Sequence, residues 1–354
     1  MVTILRIVLM PIPGWLLYGS ESQLLWALFV IIVLGLTDWL DGVMARKEGP
    51  SVLGGLLDPI ADKIFIAVIY LPLTDRGIIP IWLTAAIFAR DFVVTTLRTS
   101  LSLRNAPMRT ATLAKYKTAM QMVGIGYVIL YLAHKSHPDA FLVWFMILSP
   151  IAIPLSVIIK RFLKKEKQGP RSITMLLLMT FAFLIRVFLG PALATTIILY
   201  IIGVITVVSG FSYLIDAWSA MKGVSGSYKE VFRFLVEGVV VPVLYILLLG
   251  YYNTSLMSTA IILVITLELA VGGLGNLLAS RKTVPRFRLV LIKSLTQAGL
   301  AAYALFLAVN AADSANASRS ALAGEISIAV GFIITVVYVA GSFIQHRNVY
   351  LSAL

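Results

Sequence analysis

Four aspartates, Asp38, Asp41, Asp58 and Asp62, fall within the stretch TDWLDGVMARKEGPSVLGGLLDPIADK, from Thr37 to Lys63, between segments that are almost purely apolar. Asp38 and Asp41 are three apart and Asp58 and Asp62 four apart, so on helices each pair shares a face. Two unit charges about 4 Å apart repel by roughly 4 kcal/mol at an effective dielectric near 20. Four carboxylates drawn together therefore need either protons or cations among them. An all-oxygen set suits Mg²⁺, Mn²⁺ or Ca²⁺ rather than zinc. Gly42, Ala45, Gly54 and Gly55 remove bulk beside the acids and let a ligand or a second backbone approach. The plainer reading is four solvated helix-end acids paired with Arg46, Lys47 and Lys63; the matched spacings and small neighbours favour a site.

The elements that must carry these acids are apolar helices. The chain has 354 residues, of which 60% are hydrophobic and 13% charged. Repeated apolar runs near twenty residues long mark an all-α, polytopic membrane bundle of about twelve spans. The runs start near Thr3, Gln23, Asp58, Ile78, Thr110, Ala140, Ser172, Leu193, Lys229, Leu256, Leu289 and Glu325. The first is expected to be a retained span, bent by Pro11 and Pro13, rather than a signal peptide. There is no cysteine, so redox chemistry says nothing of compartment.

The net charge of +13 is unevenly placed. Alternate connections collect Arg46 and Lys47, then Arg98, Arg104 and Arg109, then the run from Lys160 to Arg171, then Arg281 to Arg288 and Arg347. The opposite side offers Arg76, Lys135 and Arg319. The positive-inside rule puts the first side, with both termini and the aspartates, in the cytoplasm. These clusters touch head groups and set topology. No basic stripe lies on a soluble domain, so nucleic acid is not expected as a partner.

The pattern D-x-x-D-G-x-x-A-R followed by G-x-x-x-D-x-x-x-D, read from Asp38 to Asp62, resembles the signature of the CDP-alcohol phosphatidyltransferase family. Seven residues separate Arg46 from Gly54, one fewer than expected of the family, which leaves the loop through Gly49-Pro50 tighter. TILRIVLMP, from Thr3, resembles the family's first helix. ARDFVVTTLRTSL (from Ala89) and AKYKTAMQMV (from Ala114) are similar to stretches of phosphatidylglycerophosphate synthases in particular, with Asp91 standing where glutamate is expected. GVITVVSGFSYL, from Gly203, looks like the last helix of such enzymes.

The resemblance implies a transfer of the phosphatidyl group of CDP-diacylglycerol to glycerol 3-phosphate, giving phosphatidylglycerophosphate and CMP by two-metal-assisted in-line displacement. It implies that Asp38, Asp41, Asp58 and Asp62 hold two Mg²⁺ or Mn²⁺ ions and that Asp62 also takes the acceptor proton. Gly42, Ala45, Arg46 and Gly54 would line the cytidine diphosphate. A phosphate dianion needs fixed cations, and Arg90, Arg98, Lys115 and Lys117 are the candidates, with snorkelling to head groups as their other reading. The expected setting is a bacterial inner membrane with the site facing the cytoplasm, among membrane lipids, and the resemblance suggests a homodimer. Residues 1–222 are expected to form the transferase domain, with an inserted helical pair at about 139–190, and 223–354 an additional transmembrane helical region to which the resemblance assigns no role.

Two further readings differ in acceptor or class. The same chemistry would serve inositol phosphate or another polar head group. A secondary transporter could use Asp38, Asp41, Glu237 and Glu268 as coupling sites, but the clustered acids sit at the interface rather than the midplane and no inverted repeat is visible. Glu268, Gly272 and Asn276, four apart, read as an inter-helix seam in preference to a polar pathway.

Overall fold

The computed structural model describes residues 2–48, 52–103, 112–133, 188–221, 235–252, 254–280, 287–311 and 317–351, with a few isolated positions between them. The expected inserted pair at about 139–190 lies almost wholly outside the described residues. Every element in the described residues is helical. Two short helices open the chain, α1 (Val2–Leu9) and α2 (Pro11–Leu16), and the break between them falls where the two prolines are expected to bend the span. Then come α3 (Glu21–Glu48), α4 (Val52–Asp75), α5 (Ile81–Leu103), α6 (Thr112–Ala133) and α7 (Pro191–Met221). A π turn over Val236–Val240 leads into α8 (Val241–Leu248), followed by α9 (Ser255–Ser280), α10 (Phe287–Ala311) and α11 (Ala317–Leu351).

Local sequence explains the ends that matter. Ser20 caps α3 in a capping box, its backbone N–H donating to Gln23 Oε1 at 2.8 Å. α4 closes at Gly77, whose φ of 69° places it in the left-handed region that suits glycine, while Ile78 N–H donates to the Leu73 carbonyl at 2.9 Å. Pro80 then opens α5, accepting from Leu83 N–H at 3.0 Å.

One core runs through both halves of the chain. Leu28, Phe65, Tyr70, Leu83, Ile125 and Ile202 share it with Tyr245, Ile261 and Ile328. Helix α1 packs on both α3 and α4; α5 packs on α7; and α9 packs on α4, α5 and α11. The outer faces are apolar instead of polar: Phe211, Ile215, Phe306, Ile333 and Val337 are all exposed. Water would not tolerate so continuous a surface, whereas lipid does. Four helices are long and apolar enough to cross a membrane, over Ala192–Ile215, Ser255–Asn276, Leu289–Asn310 and Ser318–Asn348. Shorter apolar stretches cover Thr3–Leu16, Glu21–Thr37, Met120–Ala133 and Val236–Leu248. The chain is an integral membrane protein.

Candidate active site

The acids lie at neighbouring ends of α3 and α4. Asp38 and Asp41 are on α3, Asp58 and Asp62 on α4, with three residues between the two helices. Asp58 is half-buried and Asp62 exposed, the latter with 66% of its side chain open. Helix α1 reaches both. Thr3 Oγ1 donates to Asp58 Oδ1 at 3.1 Å, and Arg6 Nη2 donates to Asp62 Oδ1 at 3.4 Å. Arg6 itself is buried to 3% exposure, so a guanidinium held in the protein steadies a carboxylate that faces out. The side chains of Asp38, Asp41, Gly42, Ala45, Arg46, Gly54 and Lys115 lie outside the described part of the structure. Among the described residues no three acids, histidines or cysteines meet in one cluster.

A second cluster sits deeper, where α4, α5 and α6 converge. Asp91 on α5 accepts from Arg90 Nη1 at 2.8 Å and from Lys117 Nζ of α6 at 2.5 Å. Lys63, the residue after Asp62, turns away from the acids and donates to Thr95 Oγ1 at 2.5 Å. The Thr95 hydroxyl donates in turn to the Asp91 carbonyl, also at 2.5 Å. Asp91, Arg98, Lys117 and Arg90 are all close enough to act on Lys63 electrostatically. Among the described residues, Arg90 and Lys117 thus bond to Asp91 in a largely buried place, with Lys63 and Arg98 close by. Lys117 is 4% exposed and half-buried Arg98 flanks the group.

Such a surplus is costly inside a membrane protein unless an anion completes it. Arg90 stands apart within the cluster. Its Nε and Nη2 are buried with no hydrogen-bond partner among the described residues, although Nη1 is bonded to Asp91. The guanidinium lies 4.9 Å from the ring centre of Tyr213 on α7, and Gly210 leaves room for its stem, since a Cβ there would meet Arg90 Cγ at 3.1 Å. The α7 stretch singled out by its sequence therefore forms the wall behind Arg90.

Several of these residues escape a sequence reading. Lys63 donates to Thr95 beside Asp91, partners that the plainer reading does not offer. Thr3 and Arg6, three apart on an otherwise apolar helix, are the signal in the sequence that marks one face of α1 as turned to the site. Tyr213 carries no signal of its own.

Residues 1–209 match the family model described as CDP-alcohol phosphatidyltransferase. The chain belongs to the CDP-alcohol phosphatidyltransferase family. It is 40% identical over 118 residues to human cardiolipin synthase (CMP-forming), covering 33% of this chain and 38% of that protein. It is 36% identical over 156 residues to a CDP-diacylglycerol–glycerol-3-phosphate 3-phosphatidyltransferase of Pseudomonas fluorescens, covering 42% of this chain and 76% of that enzyme. The Bacillus subtilis protein of the same name is 32% identical over 144 residues, with 37% and 75% covered. The chain spans less than half the length of the cardiolipin synthases it matches. No solved structure matches. Everything from α8 onward lies beyond the family match.

Proposed function

We propose that this protein is a membrane phosphatidyltransferase that moves the phosphatidyl group of CDP-diacylglycerol to glycerol 3-phosphate, giving phosphatidylglycerophosphate and CMP. The observation that carries the reading is the buried excess of cations around Asp91, with two Arg90 nitrogens lacking a partner among the described residues. A phosphate dianion is the acceptor group that such a place would hold. Arg90, Arg98, Lys115 and Lys117 bind it, and Lys63 joins them.

The donor end belongs to the aspartates. Their oxygens suit a hard divalent cation, and the exposure of Asp62 leaves a carboxylate open to one. Asp38, Asp41, Asp58 and Asp62 would hold two Mg²⁺ or Mn²⁺ ions, which when bound neutralise a diphosphate and its leaving group. Gly42, Ala45, Arg46 and Gly54 line the cytidine diphosphate. The chain's own part in the transfer is positioning and proton movement. Asp62, steadied by Arg6, takes the proton from the acceptor hydroxyl as its oxygen bonds to the phosphatidyl phosphorus. The bond from that phosphorus to the oxygen of CMP breaks, and CMP departs with the electron pair.

The same reading places about twelve spans in a bacterial inner membrane, with both termini and the site cytoplasmic and the chain paired as a homodimer. It takes residues 1–222 as the transferase domain, with an inserted pair at about 139–190, and 223–354 as an added helical region. The likeness to cardiolipin synthases favours a second reading, in which the products are cardiolipin and CMP. Purified protein in lipid vesicles with CDP-diacylglycerol, Mg²⁺ or Mn²⁺ and a panel of acceptors decides between them. Glycerol 3-phosphate is expected to release CMP and yield phosphatidylglycerophosphate by mass spectrometry. Release of CMP with phosphatidylglycerol alone would move the protein to the second reading.

A further inference from the structure

Helix α9 lies outside the family match, yet its small residues press on the turns that carry the site. A Cβ on Gly273 would stand 2.4 Å from Ile60 Cγ1, and Ile60 lies on α4 between Asp58 and Asp62. A Cβ on Gly272 would stand 3.1 Å from Thr95 Cγ2 on α5. One turn further on, the Thr99 hydroxyl donates to Asn276 Oδ1 at 2.6 Å. On the other side, α9 is held by Glu268, which accepts from Lys293 at 2.6 Å and Gln297 at 2.8 Å of α10. Gln297 in turn donates to Thr335 of α11 at 2.7 Å.

Thr95 is where these contacts meet the chemistry. Its Cβ has two branches: the methyl lies against Gly272, and the hydroxyl accepts from Lys63. A β-branched side chain has few rotamers, so fixing the methyl fixes the hydroxyl. Turning it would release the Lys63 ammonium from its place beside Arg90, Arg98 and Lys117.

We infer that α9 is a positioning element of the acceptor end, in which Gly272 sets Thr95 and, through it, Lys63, while Asn276 ties α9 to the next turn of α5 through Thr99. The inference rests on the proposed reading of the cation cluster as an acceptor-phosphate site. It gives the Gly272 contact, in the region beyond the family match, a role in acceptor affinity. A Cβ at 272 would crowd the Thr95 methyl by a few tenths of an ångström, and a longer side chain by more.

The test uses the full chain in lipid, with KM measured separately for glycerol 3-phosphate and CDP-diacylglycerol, and melting with and without inorganic phosphate. Gly272→Leu and Thr95→Val should each raise the acceptor KM about tenfold, the scale of one hydrogen bond to a charged group, with the donor KM unchanged. Thr95→Ser, which keeps the hydroxyl, should stay nearer the parent than Thr95→Val. Gly275→Leu, on the same helix with nothing within 4 Å of its Cβ position among the described residues, should match the parent. Phosphate should raise the melting temperature of the parent and of Gly275→Leu, but less that of Gly272→Leu and Thr95→Val. Equal acceptor KM in all four variants, or both KM values moving together with stability, would overturn the inference. A parent that ignores glycerol 3-phosphate but is stabilised by phosphate would refute the acceptor reading alone; the phosphate shifts of the variants would then decide the role of α9. A parent that does neither would overturn both.

Discussion

In the helices up to Met221, Arg90 and Lys117 bond to Asp91 with Lys63 and Arg98 close by, Asp91 being the one carboxylate of this cluster among the described residues, whereas in α9 and α10 Glu268 is met by Lys293 and Gln297. Both clusters are buried, and both carry charge that lipid would not tolerate alone. Their balance differs. The first has more positive charge than its own acid can neutralise and leaves two Arg90 nitrogens without partners among the described residues. The second pairs an acid with a base, adds an amide, and lays the ammonium 4.7 Å from the ring centre of Tyr338. A balanced buried pair holds helices together; an unbalanced one is a place for a ligand. Substitutions in the two regions should therefore fail in different ways.

The largest effect belongs to the acids. Asp58→Asn is expected to lower transfer by at least about a thousandfold, and excess EDTA to do the same, with the fold retained by melting and size-exclusion profiles. Full turnover in EDTA would remove the metal from the reading. Next comes the cation cluster. Arg90→Ala should raise the KM for glycerol 3-phosphate by about tenfold or more and leave the KM for CDP-diacylglycerol near the parent value, because it removes a donor to the acceptor phosphate. If both constants held, Arg90 would be an anchor for Asp91 and Tyr213 and nothing else.

The contrasting region should lose stability before function. Glu268→Ala leaves the Lys293 ammonium, 7% exposed, without its carboxylate. Breaking such a pair from one side costs about 3–5 kcal/mol, while Glu268→Leu with Lys293→Met removes both charges and should recover most of it. Thermal melting in one lipid composition checks this. Single and double variants of equal stability would show that the pair is not the tie it looks like.

Much of the scaffold can be read from hydropathy, and the reasons for the misses are physical. Expected starts near Gln23, Ile78, Thr110, Leu193, Leu256 and Leu289 fall within three residues of the starts of α3, α5, α6, α7, α9 and α10. α4 begins at Val52 rather than near Asp58, and α11 at Ala317 rather than near Glu325. Apolar runs report the lipid-immersed stretch, while the helix continues into its polar ends. Within the site, the four-residue spacing of Asp58 and Asp62 is enough to put both on one face of α4. The partners of these residues are not legible in the same way. Arg6 meets Asp62, and Lys63 meets Thr95, only because α1 and α5 lie beside α4, and no local pattern records which helices are neighbours. The seam through Gly272 and Asn276 is visible in the sequence as a polar-and-small stripe, but not the helix it faces.

The smallest expected effect concerns a tie between the two regions at the bundle end away from the acids. Asp75, the last residue of α4, accepts from the Tyr18 hydroxyl at 2.7 Å and from the Ser258 hydroxyl of α9 at 2.7 Å. Burial and the nearby Asp75 carboxylate push the Tyr18 phenol up from its ordinary range, so it stays a donor at any working pH. Arg76 also donates to the Leu17 carbonyl, so this corner survives the loss of one bond. Tyr18 is half-exposed and water can replace its hydroxyl, so Tyr18→Phe should cost under about 1 kcal/mol. Ser258 is 2% exposed, and Ser258→Ala strips a half-buried carboxylate oxygen of its donor, at about 1–2 kcal/mol. Neither change should move either KM, since this end holds no group assigned to the chemistry. Because both hydroxyls serve one carboxylate, the double variant should cost more than the sum of the singles. A shift in acceptor KM with Ser258→Ala would mean that α9 transmits strain along its whole length, and the division between a ligand-holding region and a packing region would then fail.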